Sequence, residues 1–273
     1  MEPFVQTSES VLSIQPWIEK YPSLIAGFTT KNGGVSEKPF ASMNTAFHVF
    51  DSEDKINQNR QILAEHIQKD VSNWIGCEQT HEYFIKKVGR EQIGLGAKDY
   101  QSALKHTDGL YTNETDVLLT LCFADCVPIF FFAPKYHLVG MAHAGWKGTV
   151  SGIGLRMVQE WMEKEGVKPD EILAVIGPSI CQNCYTVDKK VIDLLEEILE
   201  EQTKTAYNQI TESQFQLDLK LANELILRKA GLPPENISTT AYCTSCDHSL
   251  FFSHRRDRGK TGRMMGMIGW RKE

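Results

Sequence analysis

What is scarce in this 273-residue sequence excludes several classes of protein. Long clean apolar runs are missing. The most apolar stretch, VLLTLCFADCVPIFFF, is broken by Asp125 and Pro128, which makes it a poor membrane span and a good pair of core strands. An excess of positive charge is also missing. The formal net charge is −6, whereas a general nucleic-acid binder is usually basic, so no nucleic-acid partner is expected. The opening MEPFVQTSESVLSIQPW has neither a basic n-region nor a continuous apolar core, so it does not read as a signal peptide. The expected setting is a reducing cytoplasm, where the odd count of seven cysteines stays free or binds metal. No internal repeat and no low-complexity linker is visible, so residues 1–273 read as a single domain.

What remains is an ordinary enzyme-like composition, 41% hydrophobic and 23% charged. Strands are expected at SVLSIQP, LIAGFTT, ILAVIGP, NISTTAYC, SLFFSH and RMMGMIGW. A helix is expected through KINQNRQILAEHIQ, capped by Asp51 or Ser52, with Ile56, Ile62, Leu63 and Ile67 inward. A second is expected through GTVSGIGLRMVQEWMEKEG, with Thr149 as N-cap, Gly166 as the stop and Val150, Ile153, Met157, Val158 and Trp161 on one face. VDKKVIDLLEEILEEQ and LDLKLANELILRKAG complete the helices. Strand pairs mixed with helices give an α+β, or mixed α/β, class.

The chemistry concentrates between Thr120 and Gly148. One apolar run delivers Asp125 and Cys126, and a second delivers His143. A thiolate and an imidazole at neighbouring strand ends suit either a metal site or a Cys–His nucleophile pair. A catalytic metal needs a third ligand. His81, in CEQTHEY, is the candidate, with His48, His66, His106, His137 and His254 as competitors that composition does not separate. The glycine-bearing HAGWKG loop opens a helix, and Lys147 adds charge to what is an anion-friendly geometry. Arg255, Arg256, Arg258, Lys260 and Arg263 crowd the loop SHRRDRGKTGRM and suit a phosphate or carboxylate clamp. Two CxxC pairs, Cys181/Cys184 and Cys243/Cys246, lie about sixty residues apart, far beyond the usual spacing of a zinc doublet. They read by default as core thiols, with a redox dithiol in each pair and a four-cysteine structural zinc site as the alternatives.

The motifs FTTKNGGVS, QTH, HTDG, ADCVP, HAGWKG, IGPSIC and LFFSHRRDRGKTGRMMG, running nearly the whole chain, resemble the YfiH/YlmD family, in particular its bacillus-type members. This family is also called the laccase-domain or multicopper polyphenol oxidase family and includes purine nucleoside phosphorylases. The resemblance implies a layered α/β/β/α sandwich in one domain. It also implies a metal held by His81, Cys126 and His143, which selects His81 from its competitors. The metal would be Zn²⁺, with copper as an alternative. Implied substrates are purine nucleosides and phosphate, through phosphorolysis of adenosine, inosine and methylthioadenosine and deamination of adenosine. On this reading Asp125 assists catalysis, and Lys147, Arg255, Arg256 and Asn44 hold substrate or phosphate. Lys147 stands where relatives more often have Arg, and Met43-Asn44-Thr45 where they often read LNL. Full multicopper chemistry is hard to house, because the chain has eight histidines and no His-x-His pair. Polyphenol oxidation fits only as a side activity. A metal-independent hydrolase, with Cys126 as nucleophile and His143 as base, is the other chemical alternative.

Overall fold

The run VPIFFFA is apolar at every position because it is buried on both faces. Val127, Ile129, Phe131 and Ala133 enter one core, and Phe130 and Phe132 enter another. This alternation follows from the two-residue period of a strand. The computed structural model describes residues 1–271. In chain order the strands are β1 (Phe4–Gln6), β2 (Val11–Ile14), β3 (Leu24–Thr29), β4 (Trp74–Gly76), β5 (Ile85–Lys87), β6 (Gly109–Thr112), β7 (Leu118–Phe123), β8 (Val127–Ala133), β9 (Leu138–Ala144), β10 (Leu173–Ile176), β11 (Thr186–Asp188), β12 (Tyr207–Gln209), β13 (Gln214–Leu217), β14 (Ile237–Thr239) and β15 (Met264–Trp270). The helices are α1 (Gln15–Lys20), α2 (Glu53–Ile67), α3 (Trp146–Val150), α4 (Ile153–Glu165), α5 (Lys189–Leu199) and α6 (Leu219–Lys229).

Two mixed sheets of six strands run β1-β2-β3-β15-β7-β4 and β14-β10-β8-β9-β6-β5, beside a small sheet β11-β13-β12. The large sheets share one core, where Leu12, Phe28, Leu121 and Phe123 of the first meet Leu110, Phe130, Val139 and Met141 of the second. The outer face of the first sheet packs Val11, Leu118 and Met267 against Leu63, Ala64 and Ile67 of α2. The outer face of the second packs Phe131 and Ala142 against Met157 and Trp161 of α4 and Ile226 and Leu227 of α6. Each such side chain contributes on the order of 1.5–3 kcal/mol when fully buried. The result is the α/β/β/α sandwich, in a single domain. No helix among the described residues is long and apolar enough to cross a membrane.

Local readings differ from the structure in four places. The helix after HAGWKG is two helices, because Gly152 adopts φ +71° and breaks it. Thr149 is therefore no N-cap. It is buried inside α3, where its hydroxyl accepts from Asn223 Nδ2 at 3.0 Å. Of the two capping candidates, Ser52 holds the N-cap position of α2, without a side-chain bond, and Asp51 does not, because its carboxylate accepts from Ser36 Oγ at 2.6 Å and Asn44 Nδ2 at 2.9 Å. The segment SLFFSH is not a strand; its Phe251 and Phe252 reach the inter-sheet core from a loop. By contrast, Gly166 does end α4, at φ +68°, and Asp188 and Asp218 cap α5 and α6 through Val191 N and Leu221 N.

Candidate metal centre and substrate pocket

The link between β7 and β8 crosses from the first large sheet to the second in three residues, Ala124-Asp125-Cys126. Asp125 takes φ +83° at this corner. Both oxygens of its carboxylate are occupied: Oδ1 accepts from Thr244 Oγ1 and Oδ2 from Arg255 N–H, each at 2.6 Å. The antiparallel pairing of β8 with β9 sets Pro128 opposite His143, which places His143 beside the end of the corner. His81 arrives on the loop from β4 to β5, a second crossing between the sheets. Gln79 holds that loop by imitating a strand neighbour. Its Nε2 donates to Cys122 O at 2.8 Å, and its Oε1 accepts from Cys122 N at 2.7 Å.

Three chain segments thus bring one ligand atom each from His81, Cys126 and His143 to within 4.8 Å of one another. Gly145 makes this approach possible, since a Cβ there would lie 2.9 Å from Cys126 Sγ and 3.3 Å from the His81 ring. His143 is buried, Cys126 half-buried and His81 exposed, so the cluster is open on the His81 side.

Asp108, from the HTDG motif, is the organising residue that sequence reading did not single out. It is fully buried. Oδ1 accepts from His143 Nδ1 at 2.8 Å and from His81 N–H at 3.1 Å, while Oδ2 accepts from Thr80 N–H at 3.1 Å and Glu82 N–H at 3.0 Å. The His143 bond leaves Nε2 of that ring free as a ligand, the usual carboxylate–histidine arrangement behind a metal. Burial opposes the charge on Asp108, but the His143 and backbone hydrogen bonds outweigh it and hold its carboxyl below the usual range. Burial would likewise raise the Cys126 thiol. The two imidazoles overcome this and bring it down to about 6. Against its own burial, His143 is raised to about 9 by Cys126 and Asp108. A nucleophilic, metal-ready thiolate beside two rings is a zinc- or copper-type donor set.

The cluster forms part of the wall of a pocket of about 480 Å³, within the range of small-molecule sites. Aromatic and neutral polar groups supply much of the remaining wall: Trp146, Tyr185, Tyr100, His48 and His254. Burial, aided by the Arg263 charge, pushes His48 down to about 4 and lowers His254, so both rings are neutral at pH 7. Of the basic loop, Arg255 and Arg263 reach the pocket. Arg255 lies over the Tyr185 ring, 4.9 Å from its centroid, and donates to Thr186 O at 2.9 Å.

Three residues expected at substrate or phosphate are placed elsewhere. Arg256 turns away, bonding both carboxylate oxygens of Asp257 at 2.8 Å and the carbonyls of Thr244 and Phe251 at 3.0 Å. Asn44 is fully buried and ties its loop to Arg263 N–H at 2.9 Å and to Asp51. Lys147 is exposed on α3 beside Trp146 and is not part of the pocket wall. Among the competing histidines, His66 is exposed on α2, bonds Ser10 Oγ at 2.7 Å and is not part of the pocket wall.

The four CxxC cysteines do not behave as separate core thiols. Cys181, Cys184, Cys243 and Cys246 bring their sulfurs to within 4.8 Å of one another. The parallel bridge between Ser179 and Cys243 joins their two loops, which sequence separation concealed.

The sequence model of the family described as multi-copper polyphenol oxidoreductase laccase matches residues 25–271, and the chain belongs to that family. It is 52% identical over 273 residues to the purine nucleoside phosphorylase YlmD of Bacillus subtilis, covering 99% of this chain and 98% of that protein. It is 48% identical over 253 residues to the purine nucleoside phosphorylase YlmD of Geobacillus stearothermophilus, covering 93% and 92%. Among solved structures, the Bacillus licheniformis hypothetical protein YfiH superposes with a TM-score of 0.96 at 48% identity, covering 99% of this chain and 100% of that one.

Proposed function

Starting from membership of this family, we propose that the protein is a zinc-dependent purine nucleoside phosphorylase. It would convert adenosine, inosine and methylthioadenosine to free base and ribose 1-phosphate or its methylthio analogue, and would also deaminate adenosine. The observation that carries this reading is the placement of His81, Cys126 and His143 on the wall of a pocket that also presents two guanidinium groups. The relatives named purine nucleoside phosphorylase support the reaction class.

The donor set fits zinc, because His143 Nε2 is oriented by Asp108 and the Cys126 thiol is already pulled toward thiolate. Bound there, the ion supplies Lewis acidity at the pocket wall. Copper fits the same donors by affinity and would supply a polyphenol oxidase side activity. The chain's own groups divide the remaining work. Arg255 and Arg263 offer planar forks to phosphate. Trp146, Tyr185 and Tyr100 offer apolar faces to a purine. Neutral His48 and His254 can each donate or accept one hydrogen bond without adding charge. Asp125 is a clasp for the corner rather than a proton donor, since the Thr244 hydroxyl and the Arg255 N–H occupy its carboxylate. Small soluble substrates suit the cytoplasmic setting expected from the sequence.

The lowered Cys126 thiol beside His143 favours one second reading, a metal-independent Cys–His hydrolase. Product analysis from adenosine with and without phosphate separates the readings. Phosphate-dependent adenine and ribose 1-phosphate support the phosphorylase, and inosine formed alongside supports the deaminase. Activity that is unaffected by metal removal and blocked by alkylation of Cys126 sinks the zinc reading in favour of the hydrolase.

A further inference from the structure

The four-cysteine cluster lies outside the proposed active site, and nothing in the chemistry above uses it. Its sulfurs come from two loops 62 residues apart at Cys181 and Cys243, yet Cys184 Sγ is 3.4 Å and Cys181 Sγ 3.9 Å from Cys246 Sγ. Cys243 Sγ accepts two backbone N–H bonds, from Cys181 at 3.3 Å and Cys246 at 3.4 Å. Backbone N–H groups converging on one sulfur form the kind of concavity that metal-ligating turns present. The cluster runs from buried Cys243 to exposed Cys246, so it is not a set of thiols hidden in an apolar core. The buried side chain of Lys220 donates to Thr240 O at 2.8 Å and Tyr242 O at 3.0 Å, so a cationic group is tied to the segment that leads directly into Cys243.

We infer that Cys181, Cys184, Cys243 and Cys246 form a second, closed zinc site that fastens two loops of the pocket wall. Four thiolates with no oxygen or nitrogen competitor select a tetrahedral structural ion and leave no open position for substrate. Binding releases the thiol protons and contributes directly to the stability of the joined loops. The loops it joins hold the catalytic corner from both sides. Ile180, next to Cys181, donates its N–H to Asp125 O at 3.1 Å. Thr244, next to Cys243, donates its hydroxyl to the same residue's carboxylate at 2.6 Å and its own N–H to Ser179 O at 3.1 Å. Arg256 fixes the Thr244 and Ser245 carbonyls at 3.0 and 3.3 Å. Cys126 follows Asp125 directly, so the second ion would set the position of a ligand of the first.

The test is elemental analysis and cobalt spectroscopy on the full chain purified without chelator. Wild type should carry about two zinc ions per chain, one in each kind of site. Cys126→Ala should keep one, and cobalt exchanged into that variant should show the strong thiolate-to-metal absorption of a tetrathiolate. Cys184→Ser and Cys246→Ser should each lose that absorption. If these two variants do not fold, wild-type stoichiometry and the Cys126→Ala spectrum decide the question. A single zinc per wild-type chain that is lost in Cys126→Ala, a Cys126→Ala protein that binds neither zinc nor cobalt, iron in place of zinc, or a Cys184–Cys246 disulfide in protein purified without air would each overturn the inference. Because Cys126→Ala removes a donor of the proposed catalytic ion, its result is independent of the phosphorylase reading.

Discussion

Replacing Asp108 by Asn changes one oxygen for an NH₂ group and tests whether this carboxylate organises the metal centre. Asp108 accepts four N–H bonds, two on each oxygen. Whichever way the amide faces, one pair of donors meets another donor. Either Thr80 and Glu82 lose their acceptor, or His81 N–H and His143 Nδ1–H do. A buried donor left unpaired costs about 1–3 kcal/mol, which applies in full to His143 Nδ1–H, whereas the three loop N–H groups are only partly buried and cost less. Removing an outer partner of a ligating histidine typically lowers metal affinity about 10- to 100-fold. The expected result is therefore an earlier urea midpoint with an unchanged slope, together with zinc lost to a competing chelator at a lower chelator concentration. Phosphorolysis should fall in proportion to metal occupancy. Zinc retention and a urea midpoint indistinguishable from wild type would refute the claim that Asp108 sets the tautomer of His143 and the position of His81.

Two more outcomes follow from the pocket. In metal-free protein the depressed Cys126 pKa means that the thiolate is present above about pH 6 and is lost below it. Alkylation of Cys126 by iodoacetamide, followed by mass spectrometry, should rise through pH 6 and then level off. An inflection near the ordinary thiol value would contradict the imidazole effect. Arg255→Ala and Arg263→Ala should raise the KM for phosphate more than that for nucleoside, whereas Arg256→Ala should leave phosphate KM in place and cost about 1–3 kcal/mol of stability through its carbonyl and Asp257 bonds. A phosphate KM that moves most with Arg256 would reverse this assignment.

The strands flanking ADC were legible because burial on both faces writes an unbroken apolar run. The layered architecture, and His81 as third ligand, came from resemblance of the motifs and not from spacing. Asp108 escaped notice because a single acid between a turn and a strand has no periodic signature. Its importance comes from the N–H groups that fold around it. The basic loop was visible as charge, but sequence does not say which way a guanidinium points. Only the structure shows Arg256 tied inward while Arg263 faces the pocket. SLFFSH had the composition of a strand, yet its two phenylalanines fill the core from a loop. Long-range pairing hid the cysteine cluster in the same way, because two CxxC turns approach only once Ser179 and Cys243 bridge.

The interior position of β15 bears on how the chain reaches this state. It inserts between β3 and β7, pairing Trp270 with Leu24 and Gly269 with Leu118. Nearly the full length of the polypeptide must therefore be looped before the first sheet gains its middle strand, and such non-local closure makes assembly slow. Until then β3 and β7 expose open hydrogen-bonding edges, so the half-assembled molecule is the state most exposed to aggregation.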